Sequence, residues 1–277
     1  MNQNNKALLE QMTEKLSTVV QKNFRNAFLS VFIMMIIESI GSAFFLAPMM
    51  YFSITEKTTP LTMGISYVLL VAGIICWFLL QAGAFVLFLR MVRGEYVSIG
   101  FLFYGFRKFK QFVGSTFFFA GLAAFVTVII RFVLHFTKDT TYDVLAFLDK
   151  HFGEINSILV VAVVLLLLVA IVSIRFLFLF FVRYDKPETG TFKSAGIAAR
   201  VIRKKILLLI WFVLKASARY LVLAAFYFAA STYFGFKTES AIQSVAHFLF
   251  SFLYLLNMYK AFVMAYFAIA TFYDETV

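Results

Sequence analysis

Residues 206–234 read ILLLIWFVLKASARYLVLAAFYFAASTYF. A helix that crosses a bilayer needs about 20 apolar residues, and this run is longer than that with only two charges in it. Those charges, Lys215 and Arg219, stand one helical turn apart on one face. They lie about 10 and 14 residues into the expected span, at a depth where a cation costs at least ~2.5–3.5 kcal/mol on insertion scales. Immediately upstream, Lys193, Arg200, Arg203, Lys204 and Lys205 form a basic segment. Phe192, Ala195, Ala199, Ile202 and Ile206 share one helical face there, and Lys193, Arg200 and Lys204 oppose it. That spacing predicts an amphipathic helix lying on a membrane surface.

Five more apolar runs of spanning length surround this one, at about 27–54, 62–89, 112–136, 156–182 and 240–272. The expected fold is therefore all-α: a polytopic membrane protein of six transmembrane helices with amphipathic surface helices. Composition agrees, since 62% of the 277 residues are hydrophobic and 14% charged, against about a quarter charged in a soluble domain. A transmembrane barrel would show short alternating strands instead. Residues 1–26 read as a separate amphipathic surface helix, with Leu8, Leu9, Met12, Leu16, Val19 and Val20 on one arc, and residues 27–277 as the transmembrane domain. The first apolar run is too long for a signal-peptide core and is read as an uncleaved span.

Lysine and arginine alternate by loop. The N-terminal segment and the second and fourth loops hold sixteen, and the first, third and fifth loops hold four. The positive-inside rule then puts both termini in the cytoplasm and accounts for the net charge of +11 without nucleic acid. Arg93, Arg107, Lys108 and Lys110 in the second loop, and Lys193, Arg200, Arg203 and Lys204 in the fourth, are expected against anionic headgroups, each worth about 1 kcal/mol at such a surface. Aromatic residues interleave with the basic ones over 101–112, a pattern that also stacks nucleic-acid bases but beside two spans marks a membrane-pressed helix. The three basic segments resemble one another, which suggests a surface helix plus helical hairpin repeated three times; positive-inside loops alone would produce a similar pattern.

Nothing here spells an enzyme. His135, His151 and His247 lack metal-ligand spacing, and no nucleophile elbow, phosphate loop or paired-carboxylate site occurs, so neither cofactor nor metal is expected. The lone Cys76 excludes an internal disulfide and reads as a packing residue. What stands out is the balance of charge inside the spans. Glu38 is the single intramembrane carboxylate, against Arg175, Lys215, Arg219 and Lys260, with Asn257 one turn from Lys260 and His247 on a polar stripe of the last span. If they converge, the interior is positive and suits an anion. The alternative is a structural Glu38–Arg219 pair with the lysines reaching for the interface. Arg131, a turn from the end of the third span, can do the same.

The second loop reads Arg93-Gly94-Glu95-Tyr96-Val97-Ser98, then Leu102-Phe103-Tyr104-Gly105-Phe106. This resembles a large family of uncharacterised bacterial six-span integral membrane proteins with an Arg-Gly-Glu, Val-Ser, Leu-Phe-x-Gly-Phe signature between spans 2 and 3. Tyr184-Asp185-Lys186-Pro187 and the basic helix after it look similar to that family's stretch after span 4. The resemblance implies a bacterial plasma-membrane setting and no catalytic residues. The expected function is binding or translocation of an anionic, phospholipid-like amphiphile through a positively charged cavity, with a non-catalytic accessory or scaffold subunit as the alternative. Expected partners are anionic lipids on the cytoplasmic side and a protein partner or a separate ATPase, since no nucleotide-binding motif is present.

Overall fold

Long runs of Leu, Phe, Ala and Val without internal breakers become long helices, because a backbone in hydrocarbon must bond to itself. The computed structural model describes residues 3–54, 59–136, 174, 176–203, 205–235 and 241–277. Every regular element among them is helical: α1 Gln3–Ile54, α2 Pro60–Val92, a 3-10 turn Ile99–Phe103, α3 Tyr104–Arg107, α4 Phe109–Phe136, α5 Leu179–Asp185, α6 Thr191–Ile202, α7 Ile206–Gly235 and α8 Ala241–Asp274.

Two expectations are corrected. Among the described residues four helices, not six, are long and apolar enough to cross a membrane: α1, α2, α7 and α8. The expected third span falls on α4, whose side chains are described only as far as Leu122, and most of the expected fourth span lies outside the described residues. What is described of its end is a turn at 176–178 and α5, only seven residues and too short to cross. The all-α character stands; the six-span count and its threefold repeat do not. The first supposed repeat has no separate surface helix either. Residues 3–26 continue without a break into the first span as one helix of 52 residues, because nothing between Lys22 and Ala27 breaks a helix.

The chain divides into two compact units, Met1–Phe109 with Lys204–Val277, and Lys110–Arg203. In the first, α2 begins at a capping box: the Thr59 hydroxyl accepts from the Thr62 amide at 3.2 Å, the Thr59 amide donates to the Thr62 hydroxyl at 2.8 Å, and Pro60 takes the first turn. It ends where Gly94, at φ +73°, lets the Gly94 and Glu95 amides bond back to Met91 and Arg90. The chain then folds back on α2 itself. Gly83 lies against the Leu102 carbonyl and Gly105 against the Leu79 carbonyl, each so near that a Cβ would collide with backbone.

Packing in this unit is concentrated at one end. From Leu79 to Leu89, α2 is buried on every side except at the half-buried Gln81. Phe88 stacks on Tyr266 at 5.0 Å and meets Phe267 edge-on at 4.8 Å. Around this core sit the unit's ion pairs: Arg90–Glu95 at 2.6 Å, Arg93–Asp274 at 2.8 Å, and Lys15 with Asp274 at 2.8 Å and with Glu275. At the opposite end the helices expose large apolar side chains such as Phe44, Leu61, Val68 and Ile242. In the second unit the buried Arg183 ties elements together: its guanidinium donates to the carbonyls of Gln111 (3.0 Å from Nε), Pro187 (3.2 Å) and Thr189. The Gln111 side chain donates back to the Arg183 carbonyl.

Candidate functional site

Small polar side chains fix how far each helix of the first unit slides along its neighbour. Ser217 on α7 donates to the Ala261 carbonyl on α8 at 3.2 Å, and Ser231 meets Ser251 at 2.7 Å. The Tyr259 hydroxyl donates to the Phe28 carbonyl on α1 at 2.6 Å, with the two rings edge-on at 4.6 Å. In this register Lys215 and Arg219 of α7 and Lys260 of α8 fall in one tier, level with Phe28.

Where that tier stands in a bilayer follows from helix geometry. From Ala241 to Lys260 is about 30 Å at 1.5 Å per residue, which is the thickness of the hydrocarbon. Exposure changes at a similar level on three of the four helices. On α1 the exposed large apolar side chains begin at Leu29, on α2 they stop at Trp77, and on α8 they stop at Phe262 with only the terminal Val277 beyond. On these three helices the tier lies where the exposed apolar belt ends, and the packed, ion-paired end lies beyond it. The sequence puts Lys215 and Arg219 deep in an apolar run, and on α7 the exposed Leu207, Trp211 and Leu214 continue that run on the packed side of the tier.

Lys215 and Arg219 are exposed and Lys260 is half-buried. Among the described residues no carboxylate pairs with any of the three. Glu38 does not join them: it accepts from Gln81 Nε2 at 2.7 Å and from the Trp77 indole, and Gln81 in turn accepts from the Tyr266 hydroxyl. Glu38 is thus bound to α2 and, through Gln81, to α8. Asn257 is buried and donates within its own helix to the Leu253 carbonyl at 2.8 Å. His247 is nearer the far end, its Nδ1 at 2.8 Å from the Ser231 carbonyl and 3.2 Å from the Ser231 hydroxyl. Arg175 lies outside the described residues.

The residues expected at the membrane surface divide by use. Arg93 is committed to Asp274, and Arg107 donates to the Gly100 carbonyl with its guanidinium 6.0 Å from the Phe101 ring. Lys108, Lys110, Lys193, Arg200 and Arg203 are exposed, and Lys204 lies outside the described residues. Among the described residues no cluster of His, Cys, Asp or Glu is placed to hold a metal. Gln81, Trp77 and Tyr266 were missing from the sequence reading. A Gln inside an apolar run is the one signal that could have flagged them, since a polar side chain there needs a partner helix.

Compared with family models, curated proteins and solved structures, the chain matches none. The resemblance to the six-span family is therefore withdrawn, together with the span count it implied. Its motif has a local explanation: Arg93, Gly94 and Glu95 close α2, and Leu102 and Gly105 seat the loop against it. Residues that only end a helix and pack a turn can coincide between unrelated chains. What stands is a multi-pass helical membrane protein.

Proposed function

We propose that this protein binds an anionic, phospholipid-like amphiphile at the membrane boundary and does so without catalysis. One observation carries the reading: Lys215, Arg219 and Lys260 share the boundary tier with no carboxylate on them among the described residues. A phosphate headgroup sits at that level, and its acyl chains would lie along the exposed apolar side chains of α7 below the cations, such as Val222 and Phe226. Charge-assisted hydrogen bonds to phosphate are the strong kind, and arginine adds a bidentate fork. Positive-inside loops favour the cytoplasmic leaflet for this tier, where anionic lipid is available. Movement of the lipid would be passive, ion-coupled or driven by a separate ATPase.

Native mass spectrometry of the detergent-purified protein tests this, with the Lys215→Ala/Arg219→Ala double variant beside it. An anionic lipid retained by the wild type and lost from the variant is the expected result. Equal retention by both would overturn the reading. A second reading, an accessory or scaffold subunit, is favoured by the exposed Leu207, Trp211 and Leu214 around Lys215, which a partner helix could cover. It requires a protein that co-purifies at fixed ratio and leaves in the same double variant.

A further inference from the structure

On the hydrocarbon side of the tier, between α1 and α2, lies a cavity of about 290 Å³. Its wall is almost wholly apolar, with Phe45, Leu70 and Ile74 among the lining side chains and Glu38 the only ionisable carboxylate. Gly41 leaves it open: nothing stands within 4 Å of the place a Cβ would take. Opposite, Gly73 makes room for the Phe45 ring, which a Cβ there would approach to 2.8 Å. The rim residues Leu46, Ile74 and Trp77 are exposed, so the cavity opens on the apolar surface of the helix pair.

The chemistry of the wall selects a ligand. Glu38 is held by two neutral donors, Gln81 and Trp77, and among the described residues no lysine, arginine or histidine pairs with it. Gln81 is itself fixed by the Tyr266 hydroxyl, so the carboxylate is positioned from two helices. A carboxylate away from water without a counter-charge is costly, and a ligand that brings one relieves that cost. Apart from Ser42 and Cys76 the remaining wall offers apolar contact, which fits pockets that orient a ligand by a few polar groups.

We propose that this cavity binds a hydrophobic amine from the lipid phase, its ammonium on Glu38 and its apolar body against Phe45 and Trp77. The site is distinct from the boundary tier in place and in charge, and it does not depend on the anion-binding reading. An anionic amphiphile would meet Glu38 with like charge, and a neutral one would leave the carboxylate uncompensated.

Tryptophan supplies the test, because the chain has only Trp77 and Trp211. The full chain carrying Trp211→Phe, in phosphatidylcholine nanodiscs, reports the cavity through Trp77 alone. Aminoadamantane is titrated against adamantanol, which has the same cage and no charge. The expected result is a saturable change in emission with the amine, at about tenfold or more higher affinity than the alcohol, as a charge-assisted hydrogen bond provides. Glu38→Gln should bring the amine down to the affinity of the alcohol. Gly41→Phe, which fills the cavity and leaves Glu38 in place, should abolish saturation by both. Equal affinities for amine and alcohol, or amine binding unchanged in either variant, would overturn the proposal.

Discussion

Gly105 shows what one residue can decide in this molecule. Its missing side chain lets α3 rest on the Leu79 carbonyl of α2, while Gly83 does the same for Leu102 from the opposite direction. In the order Arg93-Gly94-Glu95 the nearest opposite charges flank a glycine and would pair across a tight turn. The structure pairs Glu95 with Arg90 and sends Arg93 to Asp274, because Arg90 stands one turn back on α2 and already faces the Phe101 ring at 4.1 Å. Partner choice of this kind depends on a residue 181 positions away in the chain, which no local pattern contains. The glycine contact makes a definite prediction. Gly105→Val puts two methyl groups where backbone already lies, and it should lower stability by roughly 1–3 kcal/mol, the usual cost of overpacking. Thermal unfolding in detergent measures it. Gly121→Val, at an exposed glycine with open space around it, is the control and should change little beyond its helix propensity.

Among the elements, α1 and α8 are the ones whose lengths mislead. Each is far longer than a bilayer requires, and the excess is packed against protein instead of lipid. An apolar helix face buried by neighbours has the same composition as one buried by acyl chains, so hydropathy alone does not mark where a span ends. That is why the helical, membrane-spanning class was legible in the sequence, but the register of one helix on another was not: it rests on Ser217, Ser231 and Tyr259 finding partners on other helices. The projecting ends of α1 and α8 are closed by Lys15 with Asp274 and Glu275, joined by Arg93 from the end of α2. The side chains of Lys15 and Asp274 keep 29% and 17% of their exposure, so the network is screened by solvent and its worth is modest. Lys15→Ala is expected to lower the unfolding midpoint by an amount equivalent to less than about 1 kcal/mol at low salt. Raising the salt to about 1 M, where the Debye length falls to about 3 Å, should remove most of the difference. A loss that persists undiminished in high salt would mean that Lys15 acts through packing of its stem and not through charge.

Among the described residues, parity is the constraint that four spans impose. The chain leaves the packed end along α1, returns along α2, leaves again along α7 and returns along α8, so Tyr96 and Val277 belong on one side and Thr59 on the other. The order follows from the antiparallel contacts already described, in which Phe28 meets Tyr259 and Arg93 meets Asp274. The sense that we propose follows the positive-inside tendency: the packed end carries Lys15, Lys22, Arg25, Arg90 and Arg93, and positive residues tend to be retained in the cytoplasm. Single cysteines read this directly in a Cys76→Ser background. Tyr96 and Val277 are 88% and 62% exposed and Thr59 is exposed at its cap, so a substituted cysteine at each is reachable from its own side of the membrane. With a membrane-impermeant maleimide on intact bacterial cells, Thr59→Cys should label, and Tyr96→Cys and Val277→Cys should label only after permeabilisation. Reversal of all three would keep the four-span arrangement and invert its orientation, moving the cation tier to the outer leaflet. Labelling of Tyr96→Cys without Val277→Cys would break the parity itself, because α7 and α8 could not then both cross as a hairpin from the side on which α2 ends.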